Sequence, residues 1–198
     1  MNYDEYCDYL QQKYGIGLGD YFTSGWNYNS GKTSRTKEGL YSHHKMEDRA
    51  IQLSTPSYAK RQPFDYQKAE NLVYCDHLEH MLLHLLICEK LYKDSDSLVD
   101  KMCADCGVLY GFGGLTNYIV PELNDFYSGW RATSQWKQNC QDKIKDQKDV
   151  YIELLKRSVS WLERCGFDRK KLMTSFNEKY GLWTKDQNAE LYKMIEDF

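Results

Sequence analysis

Asn71-Leu72-Val73-Tyr74-Cys75-Asp76-His77-Leu78-Glu79-His80-Met81-Leu82-Leu83-His84 is the stretch from which the rest of the chain is best read. Its first four residues are a short, β-prone run that predicts a strand. Asp76 then stands where an N-cap belongs, with Glu79 three residues on, the pattern of a capping box. Leu85-Leu86-Ile87 continues the apolar run, so a helix follows the strand. On that helix His80 and His84 are i and i+4, on one face and close enough to share a cation. His77 lies one turn earlier.

Working outward, all five histidines of the chain fall between residues 43 and 84, the other two being the pair His43-His44. Gly39-Leu40-Tyr41-Ser42 reads as a strand leading into that pair. The implied order is strand, connector, strand, helix. A histidine pair alone is commonly surface decoration, and a histidine on an apolar helix stripe is commonly a core residue. Together with the asparagine and the helical spacing they indicate one site. His77 fits a surface position in the first turn better than a ligand.

His43-His44, Asn71 and His80-x-x-x-His84 together resemble the HNH (His-Asn-His) nuclease motif of the ββα-metal fold, as found in nuclease colicins and in phage and mobile-element endonucleases. The resemblance covers roughly residues 35 to 92, under a third of the chain. It implies that His43, His80 and His84 ligate a metal, that His44 is the general base activating water, and that Asn71 orients His44. The sequence departs from the family in its connector, where 26 glycine-free residues separate His44 from Asn71.

The same chemistry follows from the residue types. Three neutral imidazoles suit zinc, nickel or manganese better than magnesium, which favours oxygen ligands. An unperturbed histidine, with a pKa of about 6.5, is largely free base at neutral pH and can take a proton from water. Adjacent strand residues point to opposite faces, so His43 and His44 can share a site only where the strand ends or bulges.

Composition frames the site. The 198 residues are 41% hydrophobic and 28% charged, enough for one core, and 15% are aromatic, led by 17 tyrosines, which favour interfaces. Residues 32 to 68 carry eight basic side chains against four acidic ones, although the net charge of the chain is -3. The basic excess therefore overlies the histidines, where a phosphate backbone would dock. A pI near 6.0 makes the whole chain a poor generic nucleic-acid binder. Arg35, whose guanidinium offers two parallel donors, is the candidate for gripping a phosphate. Lys60-Arg61 could lie along a bound strand, after a helix capped by Thr55 with Pro56 at its first position.

The seven cysteines form no regular framework, and the amino-terminal residues do not resemble a signal peptide. No membrane span is apparent, so the expected location is a reducing cytoplasm with free thiols. Cys103-Ala104-Asp105-Cys106 is a lone CxxC that would need further ligands, such as Cys88 or Cys140, to hold zinc; buried cysteines on a helix are the simpler reading.

Elsewhere the pattern predicts an amphipathic helix up to Tyr14 and an irregular, glycine-rich connection from Gly15 to Gly31. A helix should start near Asp94-Ser95-Asp96-Ser97. Gly111-Phe112-Gly113-Gly114 reads as a turn, and Pro121 limits the helix around it. A helix from Asp149 to Cys165 should end at Gly166, Asp168 can cap another, and a last one should carry Leu191, Met194 and Ile195.

The expected architecture is α+β: an amino-terminal helix and connection (1 to 34), a small ββα-metal core (35 to 92) and a mostly helical carboxy-terminal extension (93 to 198). The expected function is a single-metal HNH endonuclease acting on DNA. The competing class is a phage or mobile-element protein that uses an HNH-like scaffold to bind and inhibit a host defence nuclease, in the manner of an anti-CRISPR, through a protein partner held by the carboxy-terminal half.

Overall fold

A capped helix with two histidines one turn apart needs an element beside it to bring in the others, and a two-stranded antiparallel sheet does so. The computed structural model describes residues 1–104 and 107–198. Strand β1 (Tyr41–His44) pairs with β2 (Leu72–Cys75), with His43 opposite Val73 and His44 opposite Leu72. The histidine helix, His77–Leu91, follows β2 directly. Asp76 accepts from the amides of Leu78 and Glu79, and the Asp76 amide donates to Glu79 at 2.8 Å, completing the capping box.

Both strands lie later than the sequence pattern indicates. Gly39 is left-handed (φ 75°), and a Cβ there would come within 2.7 Å of the Asn139 carbonyl. The chain turns at Gly39, Leu40 forms an isolated bridge with Arg35, and the strand proper begins at Tyr41, so it contains the histidine pair. Asn71 closes a short 3₁₀ turn before β2 and is not part of the strand.

The histidine helix is apolar on nearly every side because it feeds two cores. On one side Val73, Cys75, Leu83, Leu86 and Ile87 pack against Tyr3, Tyr6, Cys7 and Leu10 of the amino-terminal helix Tyr3–Tyr14. On the other, Leu78, Met81, Leu85 and Cys88 join the main core with Leu155, Trp161 and Leu162 of the long helix Lys148–Arg164. The carboxy-terminal half therefore shares its core with the histidine helix.

A helix at Gln135–Ile144 has no counterpart in the sequence pattern, and most of the other helices follow it. Ser95–Ala104 starts after Asp94, whose carboxylate accepts from the amide and hydroxyl of Ser97. Lys148–Arg164 ends before the left-handed Gly166, and Asp168 caps a 3₁₀ turn. The last helix, Ala189–Asp197, buries Leu191, Tyr192 and Ile195. One segment differs: Gly111 is left-handed, but residues 112 to 114 already form a helical turn, continued by a π-helix, Leu115–Ile119, into Val120–Tyr127. Pro121 thus lies inside a continuous helical run. It has no N–H to donate, and the wider π turn immediately precedes it.

Candidate metal centre

His43 arrives from β1, and His80 and His84 from successive turns of the histidine helix. One ring nitrogen from each lies within 4.8 Å of the others, an arrangement that could hold a metal ion. Ring centroids are 5.3 Å apart for His43 with either partner and 4.9 Å for His80 with His84. The alternation problem of the His43-His44 pair is resolved because the strand ends there. The chain enters a 3₁₀ turn, Lys45–Asp48, that carries Glu47 back between the two rings.

Glu47 is the residue that sequence reasoning missed. Its Oε2 lies 3.6 Å from His43 Nδ1 and 3.3 Å from His84 Nε2, and its Oε1 lies 3.6 Å from His44 Nδ1. Its only sequence signal is a spacing of three and four residues from the histidine pair, and spacing of that kind identifies a site only once the strand is known to stop at His44.

Hydrogen bonds fix the tautomers. His84 Nδ1 sits 2.9 Å from the Gly111 carbonyl, to which it donates, leaving Nε2 with its lone pair inward. The Tyr3 hydroxyl lies 2.9 Å from His43 Nε2 and 3.1 Å from the Lys45 carbonyl; with its proton on the carbonyl it accepts from Nε2, and His43 Nδ1 is left without a partner. For His44 the anchor is Gln67. The fully buried Gln67 amide donates to the Leu53 carbonyl (3.3 Å) and thereby points Oε1 at His44 Nε2 (3.1 Å), leaving Nδ1 as the free acceptor. His43, His44 and His80 each keep a buried Nδ1 without a hydrogen-bond partner. Orphaned imidazole nitrogens facing a carboxylate form a cation-binding donor set, and nitrogen with one carboxylate oxygen suits a borderline transition metal.

Electrostatics agree. Burial pushes His43 down to about 3, partly opposed by Glu47, and holds His80 well below the ordinary histidine range. Burial alone would raise Glu47, but His43, His44 and His84 hold its carboxyl well below the usual carboxylate range. The centre thus sets His43 and His80, both held uncharged by burial, beside a carboxyl held in its ionised form.

A cavity of about 590 Å³ opens onto Glu47, His80 and His84, with Gln52, Asn117 and Tyr118 among its lining residues. Neither His43 nor His44 reaches it. Gly114 is there because nothing larger fits: a Cβ would come within 2.2 Å of the His84 ring. Gly113-Gly114, expected as part of a turn, are instead helical positions, with Gly114 packed against a candidate ligand.

The other expected residues stand elsewhere. Asn71 donates to the Asp65 carbonyl at 2.8 Å and not to His44, whose orienting partner is Gln67. Arg35 is engaged by Glu38 and the Tyr14 carbonyl and lies over the Tyr74 ring, so its guanidinium does not face the cavity. His77 is buried, not a surface residue, and packs on Tyr41 with Glu122 at 3.9 Å. Of the basic residues expected to overlie the site, Lys45 pairs with Asp8, Arg49 with Asp48 and Lys68 with Asp20. Cys103 is exposed on its helix, Asp105 and Cys106 lie outside the described residues, and among the described residues no cysteine joins a metal-binding group. Among the described residues no helix is long and apolar enough to cross a membrane. Comparison of the chain with protein-family models, with curated proteins and with solved structures gives no match.

Proposed function

We propose that the chain is a metal-dependent HNH-type endonuclease that hydrolyses phosphodiester bonds in DNA, built on a ββα-metal core of β1, β2 and the histidine helix. One observation carries the reading: His43, His80 and His84 converge, while the neighbouring His44, its ring held by Gln67, presents its free nitrogen to the far oxygen of Glu47 beside them. A divalent ion held by His43, His80 and His84 would polarise a phosphoryl oxygen and stabilise the leaving oxygen. His44 Nδ1, its ring held by Gln67, would take the proton of the attacking water. The apolar packing of Tyr21 on His44, ring centroids 4.5 Å apart, keeps bulk water from the far face of the imidazole.

The test is a cleavage assay on DNA with zinc, nickel, manganese or magnesium added, beside metal analysis. His44→Ala should retain the metal and lose cleavage by about 100-fold or more, whereas His84→Ala should lose both. Metal content unchanged in alanine variants of His43, His80 and His84 would remove the centre from consideration.

A second reading, a protein that binds and inhibits a host defence nuclease, is favoured by the absence of any lysine or arginine from the cavity lining. It is also favoured by a surface of Tyr118, Phe176, Lys179 and Tyr180, with the Lys179 ammonium 4.0 Å from the Phe176 ring centre. On that reading His44→Ala keeps the biological effect and changes to these aromatics abolish it.

A further inference from the structure

Glu47 stands 3.6 Å from His43 Nδ1 and from His44 Nδ1, longer than a good hydrogen bond, and 3.3 Å from His84 Nε2. In a tetrahedral site with ligand bonds of about 2.0 to 2.1 Å, neighbouring donor atoms are roughly 3.3 to 3.4 Å apart. Glu47 Oε2 stands 3.3 Å from His84 Nε2 and 3.6 Å from His43 Nδ1, close to two edges of such a tetrahedron. Hydrogen bonding engages the outer nitrogens of both rings, so the inner ones are turned toward Glu47. Two inner ring nitrogens and a carboxylate oxygen at these distances have the spacing of donors around one shared cation.

The other carboxylate oxygen points away from this cluster to His44 Nδ1, at 3.6 Å. Glu47 therefore spans from the three-histidine cluster to the proposed base. It also lines the cavity, whereas His44 does not, so Glu47 stands between the cavity and His44. A phosphoryl group approaching from the cavity would need the same place and present the same feature, a pair of oxygens on one atom.

We propose that Glu47 is a fourth ligand of the centre and occupies the position of the substrate's phosphoryl group, so that the resting protein is closed by its own carboxylate. The inference rests on the metal-binding part of the function proposed above and not on the nuclease part. It distinguishes a resting centre with four protein ligands from one with an open position.

Cobalt(II) reports coordination directly through its visible absorption, without any need for activity. Cobalt-loaded wild-type protein should show the intense bands of a four-coordinate site, unchanged by millimolar inorganic phosphate. Glu47→Ala and the isosteric Glu47→Gln should bind cobalt roughly 10- to 100-fold more weakly, a range seen even for loss of an outer-shell partner. Their spectra should shift when phosphate is added. Spectra in the variants identical to wild type, or a wild-type spectrum that phosphate shifts as strongly as theirs, would overturn the proposal. The wild-type titration needs no variant to fold. Failure of the wild-type protein to take up cobalt at all would instead sink the metal centre itself.

Discussion

Gln67 shows what a single side chain contributes here. One end of its amide is tied to the Leu53 carbonyl, and that bond alone determines which end meets His44. Gln67→Ala should lower cleavage by roughly 10-fold or more with metal content intact, by the ordinary cost of removing a partner that orients a site histidine. Asn71→Ala should leave cleavage unchanged, since its amide serves Asp65; rate measurements on the two variants separate the assignments. The histidines themselves were legible because i, i+4 spacing on a capped helix has one geometric meaning. Asn71 misled because a motif position fixes residue type without fixing direction, and here a 3₁₀ turn aims the side chain away. Glu47 and Gln67 carried no comparable signal: each acts through a turn whose path depends on where β1 stops.

At the scale of elements, the histidine helix and the glycine-rich segment beside it form a unit. Gly114→Ala would drive a methyl group into the His84 ring, and the cost of such overpacking is typically about 1 to 3 kcal/mol. The expected result is a lower melting temperature together with weaker metal uptake, measured by unfolding with and without added metal. The start of the same helix supplies a pH response. Burial depresses His77 to about 4, against the opposing pull of Glu122, with Lys137 also nearby. The unfolded chain takes up this proton near pH 6.5 and the folded chain does not until about 4. Stability from His77 is therefore complete above about pH 6.5 and declines as pH falls toward 4, by about 1.4 kcal/mol per unit. His77→Gln should lose less stability than wild type over that window in denaturant titrations at pH 7, 5.5 and 4.5. Most element types were legible from caps and periodicity, but the helical turn at residues 112 to 114 and the helix Gln135–Ile144 were not. The strand boundaries were not, because they depend on Gly39 meeting Asn139, a contact distant in sequence.

On the scale of the molecule, the carboxy-terminal half is fastened from within. Asp125, fully buried, accepts from the amide and side chain of Asn177 and from the side chain of Asn188, while Asn188 also receives the Trp183 indole. Asp125→Ala would strand these donors, and a loss of roughly 3 to 5 kcal/mol is expected from equilibrium unfolding. This network joins residues 52 to 63 positions apart and left no trace in the sequence pattern. The histidine helix has a comparable reach, since it forms one wall of each of the two cores. A chain ended at residue 92 would leave Leu78, Met81, Leu85 and Cys88 bare, so the motif-bearing segment cannot be excised as an independent unit. It follows that amide exchange in Lys148–Arg164, a helix that supplies no candidate ligand, should slow when metal is bound, because tightening one face of a shared wall reduces the opening of the room behind it.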